Sequence, residues 1–375
     1  MGEREVRQYY SGMKHFYGVY DAIGRRTPML LDSESEFINW QRKARKDLGQ
    51  ILGLEMFEKC APMPEFVSEW DAEDVVFTRI VISTFDHVRV PLTILKSKHT
   101  PKSGKSPVWL HSFGHGQKGK MVDNFNKSPQ TSSLFPMKDS QVIGPYGLVQ
   151  LAQRGYLCVA FDSFGSGERY DVPVVGNEFS NIGADNPNNN ILVALGTCLL
   201  GVQVWELMRV LDYVLSLPEC DGRAGVMGTS GGGHQSLFFA AMDERVLATV
   251  TSVWFYGFKE SLIGLPHNCS CNYVPGLFEK FDCQDIGALI VPRALHIDAG
   301  MRDYLNGRKT GLGNMLIPYY ETRKAYELLH EENKISFNIF DGGHGCNTWN
   351  CADKHMKKSG DGLMDFAANA LPLCD

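Results

Sequence analysis

One serine in the sequence stands among four glycines directly after a short apolar run, in the stretch VMGTSGGGHQ. Glycine is common wherever a backbone must turn freely, so a flexible loop is one interpretation. The other is the pattern G-x-S-x-G, from Gly228 to Gly232, which holds a nucleophilic serine in a strand-to-helix turn. The flanks favour the second interpretation, because RAGVMG is typical of a buried strand and HQSLFFAAMDERV of a helix. Ser230 is therefore the candidate nucleophile.

A serine hydroxyl is a poor nucleophile at neutral pH and needs a base within hydrogen-bond reach. His344 directly follows the last predicted strand, in IFDGGHGCN, at the sheet edge where ligands bind in open α/β folds. The alternative is a loop histidine without a role. His234 lies four residues past the serine, where the predicted helix carries it away. We predict that His344 is the base.

The base needs a carboxylate that fixes its tautomer and stabilises the imidazolium. Two candidates follow the predicted strand RALHI, namely Asp298 and Asp303. Asp303 lies past Gly300, where the chain has left the strand and can turn toward the histidine loop. The sequence favours Asp303 and leaves Asp298 open. The order Ser230, Asp303, His344 is the order expected in an α/β-hydrolase.

An oxyanion formed at the reacting carbonyl needs preorganised N–H donors. Gly231, next to the serine, is predicted to supply one of them. The second is expected from the glycine-containing loop FGHGQKGK that follows an earlier strand, through the N–H of His115 or Gly116. Whether the His115 side chain is structural or lines the pocket stays open.

The elements that must position these residues alternate between strand and helix from residue 74 onward. Such alternation predicts an α/β fold, with a mostly parallel central sheet that helices cover on both faces. β-Branched runs at 74–84 and 88–97 predict a hairpin. The apolar segment 191–217 predicts one long helix that ends at Pro218.

The first seventy residues differ from the rest. An amphipathic run that starts at Ser35 predicts a helix, and we interpret 1–70 as a helical N-terminal extension packed on the main domain. Residues 71–375 are then the catalytic domain. The irregular stretch at about 257–285 is predicted to be a cap or pocket-lining insert.

Composition excludes some classes of function. The net charge of −6 and pI near 6.0 give no support to nucleic-acid binding. No apolar run reaches the roughly eighteen residues of a membrane span, so no membrane partner is predicted. The start of the chain has no apolar signal region, from which we expect a cytoplasmic location. A homo-oligomer is left open.

Two short clusters combine histidine and cysteine, HNCSCN and HGCNTWNC. Their C-x-C and C-x4-C spacings differ from the usual C-x2-C zinc knuckles, so neither a metal nor any other cofactor is predicted. Free thiols are the default in a reducing cytosol. The residues concerned are His267, Cys269, Cys271, His344, Cys346 and Cys351.

Several stretches resemble the α/β-hydrolase superfamily, specifically its acetyl xylan esterase-like and dienelactone hydrolase-like bacterial branch with an N-terminal extension. They are GHGQKGK, AFDSFGSGER, the run from VWELMRV to GTSGGG, the run from CNYVPG to HIDAG, and GGHG. The likeness covers about 75–375 and implies that Ser230, Asp303 and His344 form a catalytic triad that hydrolyses acyl esters. The chain departs from its relatives after the acid, where they tend to read Asp-x-x-Phe-Pro.

The resulting prediction is a serine esterase that cleaves short acyl groups, acetyl above all, from a carbohydrate or a similar small alcohol. Trp254, Tyr256 and Tyr304 are predicted to contact the substrate, and packing of the insert is an equal alternative for these aromatics. A serine peptidase of the prolyl oligopeptidase type is the alternative function, although seventy residues cannot form its propeller domain. A non-catalytic binding protein on the same scaffold is a third, against which the complete triad argues.

Overall fold

The computed structural model describes residues 12–72, 74–99, 103–114, 146–169, 185–265, 268–307, 309–344 and 360–373. The strands in these ranges are β1 (Glu65–Ala72), β2 (Val75–Phe85), β3 (Val88–Ser97), β4 (Ser106–Ser112), β5 (Leu157–Phe161), β6 (Cys220–Thr229), β7 (Val246–Ser252), β8 (Ala294–Gly300) and β9 (Ile335–Phe340). The helices are α1 (Met13–Ile23), α2 (Glu34–Ile51), α3 (Tyr146–Gln153), α4 (Asp185–Ala194), α5 (Leu199–Leu215), α6 (Gly231–Met242), α7 (Leu277–Lys280), α8 (Cys283–Ala288), α9 (Gly313–Leu328) and α10 (Gly360–Ala370).

The strands of the described ranges form one sheet in the order β1-β2-β3-β5-β4-β6-β7-β8-β9. Six strands run parallel, in the sheet order β5, β4, β6, β7, β8 and β9. The remaining three lie at one edge, where β1 pairs with β2, β2 with β3 and β3 with β5, all antiparallel. The prediction of a mostly parallel sheet is confirmed, as is that of the β2–β3 hairpin. Strands β4, β5 and β8 are buried along their whole length, which explains their continuous apolar sequences.

Helices cover both faces of the sheet. One buried cluster joins the sheet to α2, α5, α6, α8 and α9, and a second joins its other face to α3 and α10. The carboxyl ends of the parallel strands therefore meet at one edge between the two layers, where an open α/β sheet binds its ligands.

The N-terminal segment shares the core of the main domain. Phe37, Trp40 and Leu48 on α2 are buried in the same cluster as the sheet. Gln41 on the same face donates from Nε2 to two carbonyl oxygens of the main domain, each at 2.8 Å. The helix begins after Ser33, whose hydroxyl accepts from the amide of Glu36, and not at the predicted Ser35.

Two features of the chain differ from the sequence prediction. β1 lies partly within the segment predicted to be helical, and its largely exposed residues gave no apolar alternation to mark it. The single helix predicted over 191–217 is wrong, because the chain breaks between α4 and α5 and bends by 95°. Gly196 at the break has a φ of 93°, and the Cys198 side chain accepts a hydrogen bond from the first turn of α5.

Within the described ranges, no single helix is both long and apolar enough to cross a membrane. Helices α4 and α5 pass that test together, and only across their bend.

Candidate active site

Ser230 lies at the sharp junction between β6 and α6. Its backbone has φ 58° and ψ −122°, a conformation that costs energy for a residue with a side chain. The junction is held from both sides, because the Ser230 amide donates to the Ser252 carbonyl at 2.9 Å and the Ser230 carbonyl accepts from the His234 amide at 2.9 Å. Strain of this kind, fixed by the surrounding structure, is common at functional sites. The serine is therefore in a tight strand–turn–helix and not in a flexible loop.

Two of the neighbouring glycines allow a close approach of backbones around this turn. A methyl group at Gly228 would lie 2.2 Å from the Gly232 carbonyl oxygen, and one at Gly232 would lie 2.1 Å from the Ser112 carbonyl oxygen. Side-chain carbons do not approach oxygen so closely. The turn between β6 and α6, and its contact with the end of β4, thus require glycine at both positions.

His344 follows β9 after two glycines and reaches the serine. The distance from Ser230 Oγ to His344 Nε2 is 2.8 Å. The loop that carries the histidine is tied to the neighbouring loop after β8, because the Arg302 amide donates to the Gly342 carbonyl at 2.7 Å. His234, by contrast, is buried on α6 and stacks on Trp254, with 4.1 Å between ring centroids.

Asp303, and not Asp298, contacts the histidine. The distance from His344 Nδ1 to Asp303 Oδ2 is 2.8 Å, and the Asp303 side chain is fully buried. Asp298 is also buried, but its Oδ1 accepts from Asn338 Nδ2 on β9 at 2.9 Å and lies 3.4 Å from Nε2 of His296. The two aspartates that the sequence left as alternatives thus have different partners.

The contacts of His344 favour the tautomer that a general base needs. A carboxylate beside Nδ1 of His344 favours the tautomer with hydrogen on that nitrogen, which leaves Nε2 free to accept the serine proton. Tyr256 lies near the acid, and burial together with the Asp303 charge raises the pKa of its phenol well above the usual value. Tyr256 is therefore neutral, and the carboxylate has no competing charge from that ring.

The predicted oxyanion donors fall partly outside the described residues. Gly231 is the first residue of α6, where the amides of the first helical turn have no partner within the helix and suit an anion. Gly114, at the end of the described segment after β4, lies beside the turn, since a methyl group there would be 3.8 Å from the Gly231 nitrogen. His115 and Gly116 lie outside the described residues.

The three aromatic residues predicted to contact substrate lie in two environments. Trp254 and Tyr256 are 3% and 1% exposed, and Trp254 donates from its indole nitrogen to Asn272 Oδ1 at 2.8 Å. Packing in the core accounts for both, so the prediction of substrate contact is not needed to explain them. Tyr304 is 62% exposed, with its ring centroid 5.8 Å from that of His344.

Sequence reasoning missed a buried polar cluster on the helix that follows Ser230. The hydroxyl groups of Ser112 and Ser163, which lie at the ends of β4 and β5, both donate to Oε1 of the buried Gln235 on α6. The cluster connects the helix that starts at the nucleophile with the two neighbouring strand ends. Each residue belongs to a different part of the sequence, so no local pattern indicates that they meet.

No disulfide joins two of the described cysteines, which include Cys269 and the buried Cys271. His267, Cys346 and Cys351 of the two predicted clusters lie outside the described residues. Within the ranges that the structure describes, no group of three or more His, Cys, Asp or Glu side chains is placed to hold a metal ion.

Comparison with known proteins gives relatives by structure only. No protein-family model matches the chain, and no curated protein sequence does. A protein from Bacteroides fragilis described as a candidate acetyl xylan esterase aligns over 88% of this chain and 82% of its own, with a TM-score of 0.70 and 18% identity. A glucuronoyl esterase from Solibacter usitatus covers 92% and 95%, with a TM-score of 0.61 and 15% identity. Acetyl xylan esterase 1 from Thermoanaerobacterium sp. covers 88% and 98%, with a TM-score of 0.55 and 18% identity.

At these identities the likeness establishes the fold. The chain has the α/β-hydrolase fold, as the resemblance in its sequence implied.

Proposed function

We propose that this protein is a serine carboxylesterase in which Ser230 forms an acyl-enzyme. The observation that carries the proposal is the unbroken series of contacts from Ser230 Oγ to His344 Nε2 and from His344 Nδ1 to Asp303 Oδ2, each 2.8 Å long. The order and geometry are those by which a hydroxyl is activated for attack on a carbonyl carbon.

In the first half of the reaction, Ser230 Oγ attacks the ester carbonyl while His344 Nε2 takes the hydroxyl proton. The buried Asp303 carboxylate stabilises the imidazolium that results. The negative charge on the former carbonyl oxygen is met by the Gly231 amide and by a second donor, which we assign to His115 or Gly116. His344 then gives its proton to the departing alcohol, and the acyl group stays on Ser230.

In the second half, water takes the place of the alcohol. His344 removes a proton from the water as the oxygen attacks the acyl carbon, and returns that proton to Ser230 Oγ when the carboxylic acid leaves. The same residues serve both halves, so the proposal requires no cofactor.

For the substrate, we propose a short acyl group, acetyl above all, on a carbohydrate or a similar small alcohol. Two lines support this choice. The structural neighbours are named as acetyl xylan and glucuronoyl esterases. Tyr304, exposed beside His344, offers an aromatic face of the kind against which sugar rings pack.

The first experiment measures hydrolysis of p-nitrophenyl esters from acetate to decanoate, with an aminoacyl p-nitroanilide in parallel. We expect the highest kcat/KM for acetate and no cleavage of the anilide. A higher kcat/KM for the anilide than for every ester would favour the peptidase alternative. No turnover of any substrate would favour the non-catalytic binding protein.

The second experiment distinguishes an acetyl xylan esterase activity from a glucuronoyl esterase activity. Acetylated xylo-oligosaccharides test an acetyl group on a sugar alcohol, and the methyl ester of glucuronic acid tests a sugar as the acid part. We expect acetate release from the first and slower cleavage of the second. An optimum at octanoate or longer would contradict the short-acyl proposal, and faster cleavage of the glucuronate ester would move the sugar to the acyl side.

A further inference from the structure

The turn that carries Asp303 begins where β8 ends. It contains a 3-10 helix over Tyr304–Asn306 and reaches Gly307. Within the turn, Asp303 Oδ1 accepts a hydrogen bond from the Leu305 amide at 2.9 Å. The direction of the carboxylate therefore depends on where the backbone of Leu305 lies.

A side chain from another segment holds the backbone of Leu305 at its carbonyl end. The Leu305 carbonyl accepts a hydrogen bond from the hydroxyl of Ser261, which lies in the π-helix Lys259–Ile263 after β7. Ser261 is fully buried, and its Oγ accepts from Asn314 Nδ2 at 2.9 Å. Asn314 at the start of α9 also donates to the Gly257 carbonyl at 3.1 Å. A series of buried hydrogen bonds thus leads from α9 through Ser261 to the acid.

Close packing surrounds this series. A methyl group at Gly257 would lie 2.6 Å from Asn314 Oδ1, and one at Gly307 would lie 2.7 Å from Glu260 Oε2. Glu260, next to Ser261, accepts from the Thr310 amide at 2.9 Å and from its hydroxyl. The π-helix and the turn that carries Asp303 are therefore closely packed against each other. Burial keeps water from replacing the hydrogen bonds of Ser261. Short π-helical segments are frequent at functional sites.

We infer that Ser261 and Asn314 are positioning residues for the triad, because they fix the Leu305 backbone, whose amide binds Asp303, and so aim Asp303 at His344. The inference rests on the proposed function. Beyond Gly300 the β8–β9 pairing ends. The Arg302 amide, which donates to the Gly342 carbonyl at 2.7 Å, and Asn306 Nδ2, which donates to the Gly300 carbonyl at 2.8 Å, hold the start of the turn, and Ser261 holds it at Leu305. A displacement of about 1 Å at a catalytic group can cost about 10²-fold in rate.

The test is a double-mutant cycle on p-nitrophenyl acetate. Ser261→Ala is expected to lower kcat about 10- to 100-fold while KM stays within about threefold, since the lost contact acts on the transition state. In an Asp303→Asn background the same substitution is expected to change kcat less than about twofold, because its target is already gone. Asn314→Ala is expected to give the same pattern. A purely structural role would lower kcat by the same factor in both backgrounds.

Ser236→Ala is the matched control. Ser236 is fully buried on α6, and its hydroxyl has no hydrogen-bond partner among the residues that the structure describes, so its removal is expected to leave kcat within about twofold of wild type. Where Ser261→Ala does not fold, Ser261→Cys replaces it, because a thiol has a similar shape and is a weak donor.

The outcomes separate the two proposals. An active wild type in which Ser261→Ala retains more than half of kcat, or loses equally in both backgrounds, overturns the positioning role alone. A wild type that neither hydrolyses the ester nor reacts at Ser230 with a fluorophosphonate overturns the proposed function, and the positioning role with it.

Discussion

The carboxylate of Asp303 lies 2.8 Å from Nδ1 of His344, although 41 residues separate them in the chain. Asp298, which lies within β8, is hydrogen-bonded to Asn338 instead. This difference predicts that Asp303→Asn and Asp298→Asn have different effects on kcat. Asp303→Asn is expected to lower kcat about 10⁴-fold, because an amide favours the wrong histidine tautomer.

Asp298→Asn is the matched control. It is expected to keep kcat within about tenfold of wild type and to lower the midpoint of thermal unfolding, because it alters a buried hydrogen-bonded group. Steady-state kinetics and thermal unfolding on the same preparations check both. A larger loss of kcat in a folded Asp298→Asn than in Asp303→Asn would assign the acid to Asp298.

Ser230→Ala is expected to remove esterase activity and leave the fold unchanged. Loss of a triad nucleophile costs about 10⁴- to 10⁶-fold in kcat. The strained backbone at this position is held by hydrogen bonds of its own amide and carbonyl, which alanine keeps. Turnover of p-nitrophenyl acetate and the circular dichroism spectrum check the two halves of this prediction. A tenth of wild-type turnover in the variant would exclude Ser230 as the nucleophile.

The contact between Ser230 and His344 could be anticipated because both residues stand at a strand end with a local signature. G-x-S-x-G marks the serine, and the glycines before His344 mark the end of β9. The choice between Asp298 and Asp303 could not be settled, since it depends on how far the chain turns after β8. The roles proposed for Ser261 and Asn314 have no local signature at all, because they arise from hydrogen bonds between segments that are 53 residues apart.

Some elements of the fold could also be predicted from the sequence, and others could not. Continuous apolar runs indicated β4, β5 and β8, because both faces of these strands are buried. The break between α4 and α5 was missed since the residues on both sides are apolar, and the short link between the two helices holds one glycine, Gly196, whose φ is positive. β1 was missed because an exposed edge strand has no alternating apolar face.

Gly232→Ala is expected to damage the site through the backbone. The added methyl group would lie 2.1 Å from the Ser112 carbonyl oxygen at the end of β4, so one of the two must move. Such overpacking costs about 1–3 kcal/mol of the free energy of unfolding, and we expect kcat to fall with it.

Gly18→Ala controls for the loss of a glycine in a helix. Gly18 lies in α1 with open space around it, and alanine there is expected to raise the free energy of unfolding by about 0.5–1 kcal/mol. Urea unfolding and turnover of p-nitrophenyl acetate compare the two variants. Unchanged stability and activity in Gly232→Ala would contradict the close packing of α6 against β4.

Tyr304→Ala tests the exposed aromatic face beside His344. We expect KM for an acetylated xylo-oligosaccharide to rise several-fold while kcat on p-nitrophenyl acetate changes little, as is expected of a ring that packs against the sugar and does not contact the reacting bond. Tyr320→Ala is the control, since Tyr320 on α9 is similarly exposed at 57%. Equal KM values for the oligosaccharide in Tyr304→Ala and wild type would remove Tyr304 from the sugar-binding surface.

The last prediction concerns acid stability and His111, which is buried in β4 with its ring against Phe113. Burial lowers the pKa of His111 from 6.5 to about 3. In the unfolded chain the imidazole takes up a proton below about pH 6.5, whereas in the folded chain it stays neutral down to about pH 3. The unfolded state therefore binds the extra proton between these values. This one group is expected to lower the free energy of unfolding by about 1.4 kcal/mol for each pH unit below 6.5.

His111→Gln removes the titrating group. The decline of the free energy of unfolding between pH 6 and pH 4, measured by urea unfolding, is therefore expected to be shallower by that amount. His87→Gln, at the exposed β2–β3 turn, controls for the loss of a histidine elsewhere. Parallel declines in His111→Gln and wild type would show that His111 does not drive the loss of stability in acid.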